Sequence, residues 1–213
     1  MNPFDLPEEA ERYLEEHTSP EGDVLRGISR YTWLNEVHPQ MISGQVQGWF
    51  YRMVSLMIRP ERILEIGTFT GYSTIALSAG LKEGGRICTI EINEEYREVC
   101  LRHFREAGIE EKTELIIGDA LTVLPGLAGP FDLVLIDARK EEYPDYYQMI
   151  LGTVRPGGIL LADNVLWGGK VLEEPREVSA EAVHAFNRMV TADPRVENVL
   201  LPVRDGIMFI RKR

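Results

Sequence analysis

The apolar positions keep a helical spacing up to about residue 60 and then change to short continuous runs, and that change of period organises the chain. Residues 7–17 open on Pro7 and are rich in glutamate. In residues 40–58, Val46, Trp49, Phe50, Met53, Val54 and Met57 recur every three or four positions and stop before Pro60. Two or three helices are therefore expected as a prelude. From residue 62 the chain reads "RILEIG", a helix over 71–82, "RICTIEI", a helix over 94–107, "TELIIGDA", a short helix, "FDLVLID", a helix over 142–153 and "GGILLAD". This alternation predicts parallel strands joined by crossover helices, an α/β layered sheet. After a helix over 179–192, "VENVLLPV" and "GIMFIRKR" are separated by the hairpin-like "RDG", which predicts an antiparallel final strand. No internal repeat, low-complexity tract or linker interrupts the pattern.

A length of 213 residues suits one domain, with residues 1–60 as a helical extension and 61–213 as the α/β core. The net charge of −11, from 23 Lys and Arg against 34 Asp and Glu, repels phosphate backbones and makes nucleic acid an unfavoured partner. Of the two cysteines, Cys88 falls in a strand-like run and Cys100 in a helix-like one, so no structural disulfide is expected. The opening "MNPFDLPEEAERYLEEHT" carries acids where a secretory signal carries a basic start and an apolar stretch, and no run of about 18 apolar residues occurs. A soluble, cytoplasmic protein without a membrane partner is expected.

The candidate chemistry lies where the predicted strands end. "LEIGTFTGYS" puts Gly67 and Gly71 between a strand and a helix, where glycine permits a tight turn and a close approach to a ligand. The spacing is not the full dinucleotide fingerprint, and the Lys-Ser/Thr of a phosphate-binding loop is missing; the pair also reads simply as a tight turn. Glu91 follows Gly67 by 24 positions at the end of the next strand. An acid there can take both hydroxyls of a ribose, although a solvated acid before a helix is the plainer alternative. In "IIGDAL", Gly118 and Asp119 could flank an adenine, or Asp119 could cap the next helix.

Two further strands end on acids. "FDLVLIDARKEEY" delivers Asp137, with Lys140 three positions on, and "LLADNVLWGG" delivers Asp163 and Asn164. Asp137 and Asp163 lie 26 residues apart, one strand-helix-strand unit, so they should emerge side by side at the carboxyl edge of the sheet, where open α/β sheets bind ligands. Two carboxylates brought together there repel unless a cation or a proton lies between them. With the amide oxygen of Asn164 they form three hard oxygen donors, which suit Mg²⁺ or Ca²⁺ and not zinc; a helix cap and a turn residue is the alternative. Lys140 is the candidate base, since a neighbouring divalent cation disfavours an ammonium form; otherwise it is a solvated surface lysine.

Taken in order, "MISGQVQG", "LEIGTFTGYSTIAL", "TIEIN", "GDA", "FDLVLIDARKEEY" and "LLADNVLWGGKV" resemble the cation-dependent class I O-methyltransferases, the catechol and caffeoyl-coenzyme A O-methyltransferases and their small bacterial relatives. The resemblance implies a Rossmann-like class I methyltransferase fold: a seven-stranded, mostly parallel sheet with an antiparallel last strand, helices on both faces and an N-terminal helical extension. It implies S-adenosyl-L-methionine (SAM) as methyl donor, Mg²⁺ (or Ca²⁺ or Mn²⁺) as cofactor, a homodimer, and a catechol-like small molecule as acceptor. Ile42, Glu65, Gly67, Phe69 and Ser73 match donor-binding positions, the last three on the methionine side. Glu91 matches the ribose acid, Asp119 and Ala120 lie at the adenine, and Asp137 also lies near the donor. Asp137, Asp163 and Asn164 match the metal ligands, with Lys140 and Asp137 catalytic. One position departs from the pattern: many relatives read Asp-Ala-Asp-Lys where this chain has Asp137-Ala138-Arg139-Lys140. Arg139 either turns away from the cationic sulfonium or meets an acidic tail of the acceptor. Trp167 and the "GGKV" segment could wall the acceptor pocket, and Trp167 could equally be core. Two rival readings are a tRNA wobble 5-hydroxyuridine O-methyltransferase, which would need a basic face, and a non-catalytic SAM-binding protein, which the intact acid and lysine set disfavours.

Overall fold

Helical spacing gives way to strands where the sequence changes period. The computed structural model describes Phe4 and residues 6–213, so residues 1–3 and 5 of the acid-rich opening stretch lie outside the described residues. Three helices come first, α1 (Glu8–Glu16), α2 (Asp23–Asn35) and α3 (Gly44–Ile58). Glu8, Glu9 and Glu11 occupy the first turn of α1, where negative charge complements the helix dipole. The range of α2 is not foreshadowed by the periodicity. Its buried positions are Leu25, Ile28 and Thr32, one of them polar, while the large apolar Trp33 and Leu34 are exposed, so its inward stripe is blurred. The expected helix over 40–58 begins only at Gly44, behind a separate 3-10 turn at Pro39–Met41, and ends at Arg59 with φ +51° just before Pro60.

The α/β part follows as β1 (Arg62–Ile66), α4 (Tyr72–Ser78), β2 (Arg86–Glu91), α5 (Arg97–Glu106), β3 (Thr113–Ile117), α6 (Ala120–Val123), β4 (Phe131–Ile136), α7 (Tyr143–Leu151), β5 (Val154–Asp163), α8 (Val178–Ala192), β6 (Val196–Leu201) and β7 (Ile207–Lys212). α4 ends at Ser78, short of its pattern, and Gly80 just beyond it packs so tightly on α3 that a Cβ there would come within 2.1 Å of the Ser55 main chain. β5 begins three residues before "GGILLAD". A register shift opposite Phe131 to Leu133 accommodates Pro156, which cannot donate to a regular ladder.

The seven strands form one sheet in the order β3-β2-β1-β4-β5-β7-β6. β1 runs parallel to β2, β2 to β3 and β4 to β5, while β7 is antiparallel to both β5 and β6. This is the class I methyltransferase arrangement, with the last strand reversed as expected. By internal contacts the chain groups into two compact units, Leu6–Asp119 and Ala120–Arg213. In the first, Ile63, Leu64, Ile66, Ile87 and Ile90 are buried in the strands; in the second, Leu133 to Ile136 and Leu160 to Ala162 are fully buried. Each large aliphatic side chain so buried contributes roughly 1.5–3 kcal/mol. Tyr143 and Tyr147 meet Phe186 edge-on, which joins α7 to α8. Cys88 and Cys100 are free and buried, and burial pushes the Cys88 thiol up to about 12. Among the described residues no helix is long and apolar enough to cross a membrane.

Candidate active site

In the unit Leu6–Asp119 the glycine loop after β1 is held in an unusual conformation by side chains from β2, α2 and α5. Gly67, Phe69 and Gly71 all have positive φ, at +97°, +50° and +85°. Glycine adopts this freely, and a Cβ on Gly71 would also lie 2.7 Å from the Phe104 ring. Phe69 has no such freedom, so its neighbours must enforce the turn. Glu91, at the end of β2 and buried, does so from one side: Oε2 accepts the N–H of Thr68 (3.2 Å) and of Phe69 (2.8 Å), while Oε1 accepts the N–H of Asn93 (2.9 Å). From α5, Cys100 donates its S–H to the Phe69 carbonyl (3.0 Å) and His103 donates from Nδ1 to the Thr70 carbonyl (2.8 Å). The Thr70 hydroxyl meets that of Thr32 on α2 at 2.9 Å. Burial lowers the His103 pKa below the ordinary imidazole value. Tyr96 closes edge-on over Phe69, with ring centroids 5.0 Å apart.

The donor-binding positions read from sequence gather at this loop in part. Phe69 packs on the apolar cluster that contains Ile42 and Tyr72, and Ser73 is buried in the first turn of α4. Glu65 lies fully buried inside β1, and its Oε2 accepts from Thr74 (2.5 Å) and Thr89 (2.6 Å), tying β1 to α4 and β2. Gly118 continues the ladder by donating to the Glu91 carbonyl, which puts Asp119 just beyond the end of β3; Ala120 opens α6.

In the unit Ala120–Arg213, register brings the two acids together. Ile136 pairs with Ala162 across the parallel strands β4 and β5, so Asp137, just past β4, and Asp163, the last residue of β5, are the next positions at the carboxyl edge. Asp163 is 3% exposed, and its Oδ1 accepts the N–H of Asn164 at 2.7 Å. Asn164 sits at φ +56°, a conformation asparagine tolerates better than most residues, and the chain turns sharply there. Two carboxylates and an amide are hard oxygen donors, a set that fits Mg²⁺ or Ca²⁺. Among the described residues no three His, Cys, Asp or Glu side chains form a metal-binding group.

Lys140 is not a surface lysine. It is 6% exposed on a 3-10 turn, and Nζ lies 3.1 Å from Asp137 Oδ1 and 2.5 Å from the Tyr143 hydroxyl, flanked by the rings of Tyr143 (4.6 Å) and Trp167 (5.9 Å). Trp167 is half-buried at φ +47°, and its indole N–H donates to Glu177 at 3.0 Å. The side chain of Arg139 is more than half exposed and pairs with Glu142 at 3.0 Å, so its charge is met within its own turn. Tyr143 escaped the sequence reading. The only signal was its place three residues after Lys140, which faces Lys140 only once the turn is formed. Burial, reinforced by Asp137 and Asp163, holds its phenol well above the usual tyrosine range.

The chain is similar over almost its whole length to proteins of one family. Residues 15–213 match the family model described as O-methyltransferase. A catechol O-methyltransferase of Niastella koreensis is 34% identical, covering 91% of this chain and 90% of that protein. A caffeoyl-CoA O-methyltransferase of Stellaria longipes is 32% identical, covering 90% of this chain and 84% of that protein. The solved structure of a Podospora anserina methyltransferase bound to S-adenosylhomocysteine (SAH) superposes with a TM-score of 0.90 at 30% identity, over 98% of each chain. The chain belongs to the O-methyltransferase family and is a SAM-dependent O-methyltransferase.

Proposed function

We propose that the protein methylates one hydroxyl of a catechol-like small molecule with the help of a divalent cation, Mg²⁺ in the first instance. The observation that carries this reading is the pairing of Ile136 with Ala162, which sets Asp137 beside Asp163 and its neighbour Asn164 at the carboxyl edge of the sheet. The names of the relatives, catechol and caffeoyl-CoA O-methyltransferases, support the acceptor class.

In this reading Asp137, Asp163 and Asn164 hold the cation. When bound, it supplies electrostatic stabilisation to an acceptor oxygen that is losing its proton. Lys140 takes that proton at Nζ. The oxygen then forms its bond to the methyl carbon of SAM, while the carbon–sulfur bond breaks with its electron pair kept by sulfur, leaving SAH. Gly67, Phe69 and Ser73 hold the methionine side of the donor, Glu91 its ribose, and Asp119 and Ala120 its adenine, with Ile42 also at the donor. The clamped glycine loop supports this because a preformed loop needs no ordering when the donor arrives. Trp167 walls the acceptor.

The test is SAH formation from SAM with caffeate and 3,4-dihydroxybenzoate, with Mg²⁺ or with EDTA. Product that requires Mg²⁺ is expected. Measurable SAM binding without product on any catechol would overturn the acceptor class, and product only with tRNA would replace it by a hydroxylated uridine.

A further inference from the structure

We infer that Tyr143 is a positioning residue for Lys140, its hydroxyl fixing the direction in which Nζ faces the acceptor; the inference rests on the reading of Lys140 as the base. Tyr143 is the first residue of α7 and is fully buried. Its hydroxyl lies 2.9 Å from the carbonyl oxygen of Asp163 and 3.2 Å from that of Ile136, and neither of these can donate. The one hydroxyl proton therefore goes to a carbonyl, and a lone pair is left facing Lys140 Nζ at 2.5 Å. The contact with Lys140 has a single polarity: the lysine donates.

Nζ has four tetrahedral directions. One is the bond to Cε, one points to Asp137 Oδ1 at 3.1 Å and one to the Tyr143 hydroxyl. A single direction remains for an acceptor hydroxyl, and the rings of Tyr143 and Trp167 narrow the space around it. A lysine on a flexible stem would otherwise need to be ordered during the reaction, and here that ordering is built in. The two carbonyls belong to the residue before Asp137 and to Asp163 itself, so the hydroxyl sits between the strand ends that present the acids.

Tyr143→Phe removes the hydroxyl and keeps the ring that packs on Phe186. In the full-length enzyme we expect kcat to fall by about 10- to 100-fold, with the KM values for SAM and acceptor changed by less than about threefold. In a Lys140→Ala background the same change should alter kcat by less than about twofold, because the hydroxyl acts through the amine. An unchanged kcat, or the same fold loss in both backgrounds, overturns the inference. A lysine-selective ¹⁵N NMR spectrum, with the Lys140 signal assigned by Lys140→Arg, reads the contact without any turnover. In the unaltered protein the Nζ resonance should be visible and slow to exchange, and Tyr143→Phe should shift or broaden it. Its absence in the unaltered protein, or its persistence unchanged in the variant, also overturns the inference. No product from the unaltered enzyme on any acceptor would instead sink the proposed function, while the spectrum still decides the role of Tyr143.

Discussion

Glu91 accepts the main-chain N–H of Phe69 at 2.8 Å, and Phe69 is held at φ +50°. A bulky residue in that conformation costs about 1–3 kcal/mol and persists only where its surroundings impose it. Here the carboxylate grips the N–H while Cys100 grips the carbonyl. The acid proposed to hold the ribose is thus also the clasp of the loop proposed to hold the methionine side of the donor.

Glu91→Gln should uncouple these two tasks only poorly. An amide offers one acceptor oxygen where the carboxylate uses both, so at least one of the N–H groups of Thr68, Phe69 and Asn93 loses its partner. A loss of about 1–3 kcal/mol of stability is expected from that unsatisfied donor, with SAM affinity reduced about tenfold. Thermal melting and titration calorimetry check both, and unchanged SAM affinity would remove Glu91 from the donor site.

Stability should fall on mild acidification through His103. Burial lowers its folded pKa below the unfolded value of about 6.5, so above that value both states are neutral and its full contribution is present. As the pH falls through the unfolded value toward the lower folded one, the unfolded chain binds the proton first and stability declines. His103→Gln can still donate to the Thr70 carbonyl without titrating. Its melting temperature should depend less on pH between 7.5 and 5.5 than that of the unaltered protein; equal slopes would show that His103 does not carry the effect.

Asp163→Ala removes one proposed cation ligand from the end of β5. Turnover with Mg²⁺ should drop by about 100-fold or more while SAM binding is retained, since the donor loop belongs to other strands. EDTA should reproduce the loss in the unaltered protein. Full activity of the variant would exclude Asp163 as a ligand.

Arg139 is expected to matter little to stability, because its own side chain is more than half exposed and Glu142, though largely covered, keeps the Tyr146 hydroxyl as a donor; Arg139→Ala should cost less than about 1 kcal/mol. With its charge already met by Glu142, the substitution should also leave the ratio of kcat/KM for caffeate and uncharged catechol within about threefold. A selective loss of caffeate turnover would show that the guanidinium leaves Glu142 for the carboxylate of the acceptor.

The change from helical to strand-like periodicity near residue 60, the alternation that follows and the reversed last strand were legible in the sequence, because each depends on local spacing and turn chemistry. So was the approach of Asp137 to Asp163, since one strand-helix-strand unit separates them and parallel strands end at the same edge. α2 was not, because its buried face includes Thr32 while Trp33 and Leu34 face outward, and only packing reveals which side is inside. The same holds for the partners of the site. Glu91 clasping Thr68 and Phe69, His103 and Cys100 holding two loop carbonyls, and Tyr143 facing Lys140 join residues whose side chains meet only once turns and helices are placed. Sequence determined at which strand ends the candidate residues stand. Tertiary structure decided how they are oriented, because a hydrogen bond depends on distance and direction, and neither is encoded by spacing along the chain.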